Sequence, residues 1–189
     1  MDNLSALPLA ADQFAAIAAL VTPDDLTLPT PCGEWNVAQL IEHVVGGNLM
    51  AASLLAGSSR DEAVAILSGV DLGDDPHVPL RDSLRAQAQA FADPAALDLV
   101  VHHPAMDMPG SQLLGFRVGD LLVHSWDLAR AIGADETLDP EVVAVVAQNI
   151  EPMRPFIGQV GMFGDGPSGD LPVDTDAQMA LLDLMGRRP

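Results

Sequence analysis

The chain has 189 residues and a formal net charge of −19, from 8 basic and 27 acidic side chains. Such a surface repels phosphate backbones and anionic lipid, which excludes nucleic acid and membrane surfaces as natural partners. Hydrophobic residues make up 49% while aromatics reach only 4% and Tyr is absent, a mixture dominated by Ala and Leu that favours a packed helical domain over sheets or disorder.

The first predicted helix covers 8–22, with Pro8 in its first turn and Phe14, Ile17, Leu20 and Val21 at helical spacing. Nothing ahead of it reads as a secretory signal, and no run of about 18 apolar residues follows. A single cysteine, Cys32, leaves no intramolecular disulfide, so a cytoplasmic location is expected. Leu28–Gly33 is broken by two prolines and reads as a loop. A second helix starts at Asn36, where Gln39 completes a capping box, and ends at Gly57. Residues 58–80 are acidic and interrupted, with one short helix over 60–68. His77 falls there, in what reads as an exposed loop. A helix is predicted over 81–92, an extended stretch over 97–103, and turns over 104–110. A long helix spans 112–132 and stops at Gly133. Another opens at Asp139-Pro140 and is stopped by Pro152 and Pro155. Residues 158–173 read as loop, and a last helix over 175–185 would pack Met179, Leu182 and Met185.

The helix over 112–132 carries the chemistry. On a helical wheel its apolar residues cover more than half the circumference, while Arg117, Asp120, His124 and Asp127 fall in one narrow stripe. Asp120 and His124, four residues apart, sit one turn from each other. Two readings follow. The stripe is either a solvated face of ordinary ion pairs, or it faces an interior cavity and offers a carboxylate and an imidazole to a metal ion. The second reading needs a third donor. His43 lies at the edge of the second helix's apolar face. His102 and His103 are adjacent on an extended segment, so at most one can face such a site. Trp35 and Trp126 are expected in the core, Glu42 in solvent, and Cys32 packed rather than reactive. Asp127 can orient a ligand or act as a base, or else pair with Arg130 at the surface. Arg117 can hold a substrate carboxylate or pair with Asp120.

The stretch Leu28-Pro-Thr-Pro-Cys-Gly-Glu-Trp35-Asn-Val-Ala-Gln-Leu-Ile-Glu-His43-Val resembles the loop and second helix of DinB-like proteins, in particular the metal-binding domain of mycothiol-dependent maleylpyruvate isomerases. Gly115-Phe-Arg-Val-Gly-Asp120-Leu-Leu-Val-His124-Ser-Trp-Asp127-Leu-Ala-Arg130-Ala resembles the later ligand helix of that group, and Leu181–Pro189 the ending of an actinobacterial subgroup. The resemblance implies an all-α, DinB-like four-helix bundle with additional short helices and loops. It forms a single domain over 1–189, with a core over about 8–155 and an extension over about 156–189. It implies one divalent ion, zinc or alternatively nickel, on His43, Asp120 and His124, with Asp127 and Arg117 as catalytic candidates. The expected function is a metal-dependent transferase or isomerase using a low-molecular-weight thiol such as mycothiol and an electrophilic substrate. The alternative is a non-catalytic metal- or small-ligand-binding module, and a homodimer is compatible with either. In two respects the sequence departs from the isomerases: they have Glu where this chain has the shorter Asp120, and they carry a further C-terminal domain that contributes to the active site.

Overall fold

The computed structural model describes residues 1–33, 35–157, 166–172 and 174–189. Among these the α-helices are α1 (Asn3–Ala18), α2 (Val37–Leu55), α3 (Arg60–Ser68), α4 (His77–Phe91), α5 (Gly110–Ile132), α6 (Pro140–Ile150) and α7 (Ala177–Leu184). α1 lies along α5, and α2 along α4. α2 also meets α5 and α1 meets α4, which closes a four-helix core, with α3 against α2 and α6 against α1, α5 and α7. Phe14, Leu40, Ile41, Leu113, Leu121, Leu122, Trp126 and Leu128 fill the interior. Each such side chain contributes about 1.5–3 kcal/mol through its removal from water.

Several boundaries follow the capping chemistry. Asn36 accepts from the Gln39 amide at 2.9 Å while Gln39 Oε1 accepts from the Asn36 amide at 3.0 Å, so α2 begins where the capping box placed it. Ser59 and Glu62 do the same for α3, and Asp139 caps α6 ahead of Pro140. α1 differs from expectation. It starts at Asn3, because Asp2 accepts from the Ser5 amide and supplies the cap, and Pro8 sits inside it. The chain after it forms a 3-10 turn, Pro23–Thr27. α4 begins at His77, four residues earlier than predicted, with Pro76 immediately before its first turn. His77 is thus helical rather than in a loop, although it is exposed as expected.

The stretch read as extended and then turns forms a small antiparallel hairpin. In it β1 (Val100–His102) pairs with β2 (Asp107–Pro109) in the register Val101↔Met108, and these two residues are buried. α6 ends at Ile150, just ahead of the two prolines expected to stop it, and the chain continues as a 3-10 segment, Glu151–Phe156. Of the loop expected over 158–173, residues 158–165 and 173 lie outside the described residues, and 166–172 are non-helical. α7 closes with a Schellman turn: the Arg187 amide donates to Leu182 O at 2.9 Å and the Gly186 amide to Asp183 O at 2.9 Å. That turn needs Gly186 at φ 78, a conformation open to glycine without a Cβ penalty. It reverses the chain so that Arg187 faces the bundle.

Candidate metal centre

Two elements deliver the candidate donors. His43 projects from the second turn of α2. The loop before it folds back on itself: the Thr30 amide donates to Trp35 O at 3.0 Å and the Val37 amide to Leu28 O at 3.0 Å. This lays the half-buried Trp35 indole 4.7 Å from the His43 ring and 6.0 Å from the His124 ring. Trp126 is in the core as expected, whereas Trp35 belongs to the site. Glu42, expected in solvent, is half-buried.

The polar stripe of α5 faces inward, not into solvent: Arg117 is 4% exposed, His124 6% and Asp127 0%. His43 Nε2 lies 3.0 Å from Asp120 Oδ1, and His124 Nε2 lies 3.4 Å from the same oxygen. The two imidazole rings are 5.0 Å apart. One donor atom from each of His43, Asp120 and His124 falls within 4.8 Å of the others, the spacing of a set that can share one ion. On its far side, His124 Nδ1 lies 3.0 Å from Asp127 Oδ2. That contact fixes the tautomer with the proton on Nδ1 and leaves the Nε2 lone pair for a metal.

Electrostatics bind the cluster together. Burial raises a carboxyl pKa, but the charges of Arg117, His43 and His124 outweigh it and hold Asp120 well below the usual carboxylate range. Burial also disfavours an imidazolium, but Asp120, and then Asp127, lift His124 to about 9. A proton and a metal ion compete for the same Nε2 lone pair. Arg117 Nη1 approaches Asp120 Oδ2 to 3.0 Å at an angle that makes no hydrogen bond, so this buried oxygen is held by charge alone.

Arg117 is seated among neutral groups. Its Nε donates to Gln87 Oε1 at 2.8 Å and its Nη2 to Asn48 Oδ1 at 2.9 Å, and Asn48 in turn donates to Ser83 Oγ at 3.1 Å. The guanidinium fits because residue 47 is glycine: a Cβ there would fall well inside contact distance of Nη1. Asp127 does not pair with Arg130, which instead binds Glu136 and covers the Trp126 ring at 4.2 Å. Its partner is Arg187, whose Nε and Nη2 donate to the two Asp127 oxygens at 3.1 and 2.6 Å. Arg187 Nη2 also lies 3.5 Å from Cys32 Sγ.

Cys32, expected to be merely packed, lines the same cavity of about 820 Å³ as the histidine pair. With His124 and Asp127 it forms a second cluster of donor spacing. That cluster suits an ion less well. Asp127 is engaged by Arg187, and burial, reinforced by Asp127 and Asp120 against the opposing charge of Arg187, pushes the Cys32 thiol up to about 11. The set of two imidazoles and a carboxylate matches zinc donor chemistry. Of the remaining histidines, His102 pairs with Asp107 at 2.9 Å on the exposed side of the hairpin. His103, on the opposite side, lines the cavity with its ring 6.1 Å from Phe116.

Cys32, Trp35, Asn48, Gln87 and Arg187 are the site residues that periodicity does not reveal. The available signal for Arg187 is scarcity. The chain has eight basic residues, all Arg, and two of them follow directly on the turn that closes α7.

Comparison with known proteins gives the family and the fold. The family described as the mycothiol maleylpyruvate isomerase N-terminal domain matches residues 7–129. The uncharacterised proteins Rv0738 and MT0763, from Mycobacterium tuberculosis strains H37Rv and CDC 1551, are each 38% identical over 143 residues, or 75% of this chain and 74% of theirs. The crystal structure of the mycothiol-dependent maleylpyruvate isomerase superposes with a TM-score of 0.62 at 19% identity, over 78% of this chain and 68% of that one. The fold is therefore that of the DinB-like bundle. Among the described residues no helix is long and apolar enough to cross a membrane.

Proposed function

The chain belongs to the mycothiol maleylpyruvate isomerase N-terminal domain family, and from that premise we propose that it is a divalent-metal-dependent transferase or isomerase acting with a low-molecular-weight thiol of the mycothiol class. The observation that carries the reading is the convergence of His43 Nε2 and His124 Nε2 on Asp120 Oδ1. Three protein donors leave a coordination position open, the pattern of a catalytic ion rather than a structural one. Zinc held there would lower the pKa of a thiol at the open position and keep it as the thiolate.

The chain's own residues do the rest. Asp127 accepts from His124 Nδ1 and so orients the ligand ring. Arg117 balances the charge on Asp120. Trp35 packs beside the histidine pair in the cavity lining. Cys32 need not act as the nucleophile, since the cofactor supplies the sulfur and burial raises the Cys32 thiol to about 11.

Metal analysis of the purified protein tests this directly. His124→Ala and Asp120→Ala should each lose stoichiometric zinc, whereas His77→Ala and His102→Ala should keep it. Full retention in His124→Ala would overturn the ligand set. In the cobalt-substituted protein, mycothiol should produce a thiolate charge-transfer band that strengthens with pH and survives Cys32→Ser. No band, together with no turnover of electrophiles, would leave the non-catalytic binding module as the better reading.

A further inference from the structure

The cavity around the histidine pair extends well beyond it, and much of its lining is apolar: Met50, Leu67, Phe116, Val146, Ile150 and Met153. Among the described residues, the guanidinium groups that line it are those of Arg117 and Arg187. Most of their donors are committed to the protein. Arg117 gives Nε to Gln87 and Nη2 to Asn48, and turns Nη1 toward Asp120. Arg187 gives Nε and Nη2 to Asp127 and Nη1 to Met185 O. His103 adds no charge, because burial and the neighbouring Arg117 and Arg60 lower its pKa and keep the ring neutral. The Asn149 amide, also in the lining, is engaged in reciprocal hydrogen bonds with Asn3.

A dicarboxylate entering this space would give up the hydration of two charges and needs paired donors to replace it. A bound ion and thiol would serve one end of a substrate, but among the described residues the rest of the wall, His103 and Asn149 apart, offers the other end mostly hydrocarbon. The −19 net charge also opposes the approach of a dianion. An uncharged apolar molecule meets neither obstacle and gains from the burial the wall provides. We propose that the second substrate of this site is an uncharged, largely apolar electrophile, seated against Phe116, Ile150 and Met153, and not a dicarboxylate.

This inference rests on the metal–thiol reading only for the word electrophile; the class of molecule bound rests on the cavity itself. The probe is N-phenyl-1-naphthylamine, uncharged and fluorescent when shielded from water, added to the zinc-loaded full chain. Emission should rise on binding and fall when styrene oxide is added, but not when maleate is added at the same concentration. Phe116→Asp should weaken probe binding about tenfold or more, and Phe116→Leu by less than about threefold. Met153→Glu, at a half-buried position, should repeat the loss if Phe116→Asp fails to fold. Displacement by maleate as effective as by styrene oxide, or unchanged probe affinity in both acidic variants, would overturn the proposal. Zinc content and the cobalt–thiol band, read on the same proteins, separate the two ideas. A protein that holds zinc and thiol but excludes the probe refutes this inference alone. A protein that binds the probe but holds no zinc refutes the metal reading alone.

Discussion

Two arginines flank the candidate metal centre, and they are held in opposite ways. Arg117 rises from the same helix as two of the candidate ligands, is seated by neutral amides of α2 and α4, and directs its charge to Asp120. Arg187 arrives from beyond α7, grips Asp127 with two hydrogen bonds, and reaches the centre only through the contact of Asp127 with His124. The first sets the charge beside a ligand carboxylate; the second sets the orientation of a ligand imidazole. One buried cluster thus contains two separable contacts, one acting on the Asp120 carboxylate and one, through Asp127, on the His124 imidazole.

Removing each arginine should tell them apart. Arg117→Met leaves Asp120 buried beside no cation and strands Gln87 and Asn48. We expect a loss of about 3–5 kcal/mol of stability in denaturant titrations of the metal-free protein, partly recovered on adding zinc. Arg187→Met should cost somewhat less, about 2–4 kcal/mol, because Asp127 keeps His124 as a partner. It should weaken zinc binding through the imidazole, and Asp127→Asn in the same chain should restore much of the lost stability, since no unpaired charge then remains. Equal losses in the two arginine variants, with no rescue by Asp127→Asn, would erase the distinction.

A pH series sharpens the contrast without any substitution. His124 is raised from 6.5 to about 9 in the metal-free protein, so its stabilisation is fully present below about pH 6.5 and is lost as pH rises through about 9. Asp120 and Asp127 are lowered, so theirs is present above about pH 4 and is lost as pH falls further. Thermal melts of the metal-free protein should therefore decline on the alkaline side between these two values. Zinc binding near neutrality should release the His124 proton and flatten that decline. The smallest change expected is Gly47→Ala. Its new Cβ would push Arg117 from its seat, costing about 1–3 kcal/mol and lowering zinc affinity without altering any charge.

The same pair of arginines shows what could be read from the sequence. Arg117, Asp120, His124 and Asp127 were legible because a 3.6-residue period places them on one stripe, and α2 was legible from the Asn36–Gln39 box. Periodicity did not say which way the stripe faces. That depends on α2 and α4 covering it, a tertiary fact. The choice of His43 over His77, His102 and His103 came from resemblance, not from spacing. Arg187, Trp35 and Cys32 lie on irregular segments whose positions follow from a Schellman turn and a folded-back loop, and hydrophobic pattern carries no signal for either. Pro8 misled for a local reason: a proline suits a first turn, but the Asp2 cap starts the helix earlier.

The span of chain between partners carries a consequence for how the molecule assembles. His43 meets Asp120 across 77 residues, Asp127 meets Arg187 across 60, and Arg187 reaches Cys32 across 155. Closing loops of that length costs entropy that no single helix has to meet, so such contacts form late while helical turns form early. His43, Asp120 and His124 come together with the packing of α2 on α5, and the docking of Arg187 on Asp127 adds the hold on His124. An ion bound by the proposed set would favour the form in which all three donors are assembled.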